Sequence, residues 1–179
     1  GTPYQLIPDN APFFLDALGL AKSGIPGFSV HATCLSFLPA LNLAARTLQT
    51  GGAEHILIVS SEVASPGISF SDPESAGLMG DAAAAVVVSR SDSSALEAYL
   101  METYADGLEL SGIPGGGSRI HANQLDATPD DFTFAMQGKS LLKMVSKRLP
   151  PFLERLQPGP SEGLSDIDHV IPHQASSLG

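Results

Sequence analysis

Apolar positions along the chain form two kinds of run, one at helical spacing and one unbroken. Residues 28–32 make a short apolar, β-prone stretch, after which Leu35, Leu38, Leu41, Leu43, Ala45 and Leu48 recur at helical spacing until Gly51 supplies a stop signal. Upstream lies Pro-rich coil (Pro3, Pro8, Pro12). A short helical pattern follows, with Asn10 as its N-cap, Phe13, Phe14, Ala17 and Leu18 as its apolar face, and Gly19 and Gly24 closing it. Residues 53–60 and 81–89 are unbroken apolar runs that suit strands covered on both faces. Strand, helix and strand in succession predict a parallel βαβ unit, and together these segments predict an α/β sheet.

Residues 89–94 are a polar break and mark the expected domain boundary. Beyond it the pattern predicts a strand over 95–104 and a loop over 105–131, where Gly112, Pro114, Gly115, Gly116 and Gly117 cluster. That glycine cluster lacks the Gly-Lys-Ser/Thr ending of a P-loop. Residues 134–156 read as a long helix with Leu141, Leu142, Val145, Leu149 and Leu153 inward. Lys139, Lys143 and Lys147 stand on another face, and Pro150 and Pro151 are expected to kink or break the helix. Coil over 157–165 leads to a last short strand over 167–171.

Composition narrows the class. A chain of 179 residues that is 43% hydrophobic and 16% charged can bury a sizeable core. No run approaches the ~20 apolar residues of a membrane span, and the N-terminus lacks a signal-peptide layout. One cysteine excludes an internal disulfide and fits a reducing compartment, so the expected location is cytoplasmic. A net charge of −10 argues against nucleic acid as a partner. The chain opens on Gly1-Thr2-Pro3 without an initiator Met, which fits a processed or partial product.

Chemistry concentrates at two places. Cys34 is expected where a strand turns into a helix, and there the unpaired N–H groups and positive dipole end of the helix stabilise a thiolate nucleophile. The alternative is a small buried hydrophobe. His173 likewise stands at a strand end before an expected helix, so Cys34 and His173 can form a nucleophile and base pair. His31, His55, His121 and His169 read as structural or surface residues, and no Cys/His spacing fits a zinc site.

Four motifs occur in order: Thr33-Cys34 before a helix, Gly80-Asp81-Ala82-Ala83-Ala84-Ala85, Met136-Gln137-Gly138-Lys139, and Ile171-Pro172-His173-Gln174-Ala175. Together they resemble the β-ketoacyl-acyl-carrier-protein synthase III family. The family counterparts are an Ala-Cys nucleophile turn, a Gly-Asp-Gly-Ala strand, a Met-x-Gly before a long helix and a Pro-His-Gln-Ala-Asn motif. Ala82 stands for the second Gly of Gly-Asp-Gly, and Ser176 stands for the Asn. The resemblance implies a partial thiolase-like layered α/β fold with mixed sheets and a buried nucleophile helix. It makes residues 1–91 part of the nucleophile half and 92–179 the start of the histidine half. Family members are longer, and a third catalytic residue, an asparagine, lies in a segment beyond this chain, which therefore resembles the middle of the enzyme.

The implied chemistry is acyl transfer from a thioester to Cys34 and then decarboxylative condensation with a malonyl-carrier acceptor, in fatty acid or polyketide synthesis. His173 serves the decarboxylation, and Gly80, Asp81 and Gln174 support the site. Coenzyme A or an acyl-carrier thioester is the substrate, with no tightly bound cofactor and no metal. An acyl carrier protein and a homodimer mate are the implied partners. The resemblance leaves open a non-decarboxylating acyltransferase on the same fold, head-to-head condensation of two acyl chains, a hydroxymethylglutaryl-type synthase, and a truncated or non-catalytic partner subunit. Lys139, Lys143, Lys147, Arg148 and Arg155 are five of the nine basic residues. On an acidic background they form a stripe that can dock an acidic carrier protein, or else the solvated face of an amphipathic helix.

Overall fold

The computed structural model describes residues 2–156 and 167–175. The chain divides into two compact units, residues 1–63 with 81–96 and residues 64–80 with 97–179.

In the first unit, helix α1 spans Asn10–Ala17. Its N-cap is Asp9 rather than Asn10: the Asp9 carboxylate accepts from the Ala11 N–H at 2.7 Å and from the Ser29 N–H at 2.6 Å. Asn10 is the first helical residue, and its amide oxygen accepts from the Tyr4 N–H instead. An ionised carboxylate facing the helix N-terminus satisfies an orphan donor more strongly than a neutral amide does, which explains the one-residue shift. Helix α2 spans Phe37–Gln49 and tolerates Pro39 because its first turn needs no N–H at that position. Both helices end as their glycines require. At α2, the Gly52 N–H reaches the Thr47 carbonyl and the Gly51 N–H the Leu48 carbonyl, with Gly51 at φ 74°. At α1, Leu20 and Gly19 make the same paired bonds to Leu15 and Asp16, with Gly19 at φ 73°.

Strands β1 (His55–Glu62) and β2 (Ala82–Ser89) pair over their whole length, His55 opposite Ser89 and Glu62 opposite Ala82. The pairing is antiparallel. The parallel βαβ unit expected from 28–32, the following helix and 53–60 is not formed, because its first strand is missing. Residues 28–32 are not a strand. Two of their amides go to side chains, Ser29 N–H to Asp9 and Ala32 N–H to Ser36 Oγ at 3.0 Å, which takes donors that a ladder would use. Helix α2 packs on this pair and buries Ala44 and Leu48. The expectation that both strands are covered on both faces also fails, because one helix covers one face only, and β2 is exposed at seven of its eight positions.

In the second unit, a short helix α3 (Pro73–Ala76) is capped by Asp72, whose carboxylate takes the Glu74 N–H and the hydroxyl of buried Ser75. Strands β3 (Ser111–Gly112) and β4 (Ala135–Met136) form a second antiparallel pair. Helix α4 spans Gly138–Leu156 and runs through Pro150 and Pro151 without a break. Ion pairs of Arg148 and Arg155 to one neighbouring segment hold it on both sides of the prolines. Its apolar face is only half covered: Leu142, Val145 and Leu149 remain exposed. Gly115 is obligatory where the loop crosses residues 131–132, since a Cβ there would lie 2.7 Å from the Phe132 ring.

No strand forms over 95–104, whose residues have no ladder partner among the described residues, and residues 167–171 are irregular with Ile171 93% exposed. The expected coil over 157–165 lies outside the described residues.

Two stability predictions follow from the caps. Nothing lies within 4 Å of a Cβ built at Gly51, so Gly51→Ala should cost only the left-handed backbone term, roughly 1 kcal/mol in thermal or urea unfolding, whereas Gly117→Ala, also in open space but without positive φ, should be near neutral. The Ala11 N–H, and beyond it Ser29, hold the Asp9 carboxyl below its ordinary value. A lowered native value means that the stabilisation is complete above about pH 4 and is lost as pH falls through the native value. Asp9→Asn should therefore flatten the acid limb of the stability curve; an unchanged acid limb would refute the cap's contribution.

Candidate active site

Cys34 sits on a tight turn that the sequence builds locally. The Leu35 N–H returns to the Ala32 carbonyl and the Ser36 N–H to the Thr33 carbonyl, both at 3.1 Å. Ser36 locks the turn from its side chain, accepting from the Ala32 N–H and donating to the Thr33 carbonyl at 2.6 Å. Thr33 pays for this closure with φ 49°, a left-handed conformation that a β-branched residue rarely adopts and that costs on the order of 1–3 kcal/mol. The result is an exposed, free Cys34 three residues ahead of the first residue of α2. The cysteine is thus on a turn leading into a helix, not at a strand-to-helix junction, and it is exposed rather than buried.

His173 and Gln174 are exposed, in an irregular segment where the Ala175 N–H bonds the His173 carbonyl at 3.2 Å. Ser176 lies outside the described residues. Cys34 belongs to the first unit and His173 to the second. Gly80 and Asp81 are the two residues that lead into β2. Among the other histidines, His55 Nδ1 meets Ser89 Oγ at 2.7 Å across the β1–β2 pair, and His121 Nδ1 accepts the Asn123 N–H at 3.2 Å. Among the described residues no three His, Cys, Asp or Glu side chains are grouped to hold a metal, and no helix is long and apolar enough to cross a membrane.

The basic stripe is narrower than its sequence suggests. Lys139, Lys143 and Lys147 are exposed along α4, but both arginines are engaged. Arg155 grips Glu102 with Nε at 3.0 Å and Nη2 at 2.7 and 2.8 Å. Arg148 pairs with Asp106 and stacks on Tyr104, its guanidinium carbon 4.2 Å from the ring centroid. The Tyr104 hydroxyl in turn donates to Glu102. That hydrogen bond, with Arg155 second, holds the Glu102 carboxyl below its ordinary value and raises the Tyr104 hydroxyl, while the Arg148 hydrogen bond lowers Asp106.

Sequence reasoning missed these acids, although a signal was present. Glu102, Tyr104 and Asp106 alternate at period two, and Arg148 and Arg155 stand seven apart on one helix face. It also missed Glu74, whose carboxylate accepts the Gly138 N–H at 3.1 Å at the start of α4.

Comparison with known proteins places this architecture. Residues 28–107 match the family model for 3-oxoacyl-[acyl-carrier-protein (ACP)] synthase III. The chain is 26% identical over 175 residues to the β-ketoacyl-[acyl-carrier-protein] synthase III of Clostridioides difficile, covering 98% of this chain and 53% of that protein. It is 29% identical over 178 residues to the Chlamydia caviae synthase of the same name, covering 97% and 52%. The chain thus spans about half the length of the curated relatives it matches. Among solved structures, the 3-oxoacyl-[acyl-carrier-protein] synthase III of Aquifex aeolicus superposes with a TM-score of 0.66 at 27% identity, over 87% of this chain and 46% of that one. The Pseudomonas aeruginosa synthase III superposes at 0.68 and 23% identity, over 87% and 47%. The chain thus has a thiolase-like α/β fold and is similar over nearly its whole length to β-ketoacyl-[acyl-carrier-protein] synthase III proteins.

Proposed function

We propose that this chain carries the nucleophile of a thioester-dependent acyltransferase of the synthase III type. The observation that carries the reading is the exposed Cys34 on a turn closed by Ser36 and strained at Thr33, just ahead of α2. Backbone strain next to a solvent-facing thiol is a feature that clusters at functional turns. In the proposed first step the Cys34 thiolate attacks the carbonyl carbon of an acyl thioester, from coenzyme A or a carrier protein. The tetrahedral oxyanion is held by backbone N–H groups and collapses, expelling the donor thiolate, which takes a proton, and leaving acyl-Cys34.

In the second step a malonyl-carrier thioester loses CO₂, and the electron pair of the broken C–C bond becomes an enolate. His173 stabilises the enolate oxygen by a hydrogen bond. The enolate carbon attacks the acyl carbonyl; a C–C bond forms, the C–S bond to Cys34 breaks, and the thiolate is restored. Neither step calls for a metal or a tightly bound cofactor. Gly80, Asp81 and Gln174 support the site. Residues 1–91 contribute to the half bearing the nucleophile and 92–179 to the half bearing the histidine, and the protein works in the cytoplasm as a homodimer without nucleic acid or membrane partners. The acidic carrier protein docks on Lys139, Lys143 and Lys147, the cations of α4 that form no ion pair among the described residues.

Incubation with a radiolabelled acyl-coenzyme A should give one thioester adduct per chain, mapped to Cys34 by mass spectrometry and absent from Cys34→Ser. His173→Ala should leave acylation in place and reduce decarboxylation of a malonyl-carrier substrate by roughly 10²–10⁴-fold. A chain that acquires no adduct is a non-catalytic partner, and the reading is then wrong.

For docking, the Lys139→Glu, Lys143→Glu, Lys147→Glu triple variant should weaken binding of an acyl carrier protein at low salt, and added salt should shrink the difference. Equal binding by both proteins would leave the stripe an ordinary solvated face.

A further inference from the structure

Within the second unit, a cavity of about 270 Å³ lies beside α4 and is lined by Ser140, Lys143, Met144, Lys147 and Arg148 from the helix and by Asp106 from the facing segment. Three cations and one carboxylate therefore share one small volume. One oxygen of that carboxylate is engaged: Asp106 Oδ2 accepts from Arg148 Nη2, and the Arg148 guanidinium is pinned from its other side by Tyr104. Arg148 Nη1 is buried without a hydrogen-bond partner, so this guanidinium has no solvent-facing donor at that nitrogen to offer an incoming group. Lys143 and Lys147 are exposed. Asp106 is itself well exposed, with 66% of its side chain accessible, and it lines the same cavity as Lys143 and Lys147.

We propose that Asp106 is a specificity-determining residue of the lysine stripe, a carboxylate built into the surface that competes with the carboxylates of an acidic protein partner. The idea rests on the docking reading above. A single acid from a partner gains little here, because it must approach Lys143 and Lys147 against the repulsion of Asp106 and cannot use Arg148. A partner surface that presents several carboxylates at once engages Lys139 as well, away from Asp106, and outweighs that repulsion. The surface thus demands clustered acids rather than single ones, which is discrimination by an introduced repulsive element.

Binding of an acyl carrier protein to the full chain tests this, measured by calorimetry across a salt series with Asp106→Asn. Removing the competing charge and freeing Arg148 should tighten binding roughly two- to fivefold at low salt and steepen the salt dependence. Equal or weaker binding at an unchanged melting temperature overturns the proposal. Should Asp106→Asn melt lower, Arg148→Met provides the second arm: it leaves Asp106 ionised without its partner, so binding should weaken, and unchanged binding is again a refutation. Inorganic phosphate at matched ionic strength should not displace the carrier protein better than chloride; specific displacement would make the cavity a small-anion site instead. If the lysine triple variant binds like the parent, the docking reading itself has failed; if it weakens while Asp106→Asn changes nothing, only the role of Asp106 is lost.

Discussion

The seat of α2 on the β1–β2 pair is the contact on which the first unit depends. Ala44 and Leu48 are its buried apolar residues, and burying a leucine contributes roughly 1.5–3 kcal/mol. The direction in which α2 leaves the turn at 32–36 decides where Cys34 stands, and the paired bonds at Gly51 and Gly52 decide where the helix stops and β1 begins. Ala44 and Leu48 stand four residues apart, on one face of α2.

In the second unit, polar contacts take a larger share, because no hydrophobic side chain among its described residues is fully buried. Glu74 at the first turn of α4, Arg148 on Asp106 and Tyr104, and Arg155 on Glu102 fasten the helix at its start, middle and end. Exposed ion pairs are individually weak, so it is their connection through Tyr104 that gives the segment at 102–106 one arrangement against the helix. The same contacts engage two arginines in ion pairs and leave the three lysines of α4 without one among the described residues.

The exposed apolar residues of β2 have a visible cause. A strand such as β2, with its unbroken Ala and Val run, has the composition of a strand buried on both faces, yet in this chain α2 covers only one side of the pair. The chain also spans about half the length of its relatives. Composition records the environment in which a segment is covered, whereas exposure records the partners present.

What was legible in the sequence was local. Helical spacing located α2 and α4, glycines in the left-handed region marked both helix ends in the first unit, and two apolar runs located β1 and β2, because each of these signals is carried by neighbouring residues. The place of Cys34 just ahead of a helix was legible too, because the helical spacing begins beyond it. Tertiary structure alone decided the rest. Whether β1 and β2 run parallel or antiparallel depends on the path of the intervening chain, and whether residues 28–32 become a strand depends on where Asp9 and Ser36 spend their hydrogen bonds. Likewise, the charge that α4 presents depends on acids some 40 to 50 residues upstream that reach Arg148 and Arg155 only in the folded chain, since pairing across such separations is fixed by packing and not by spacing.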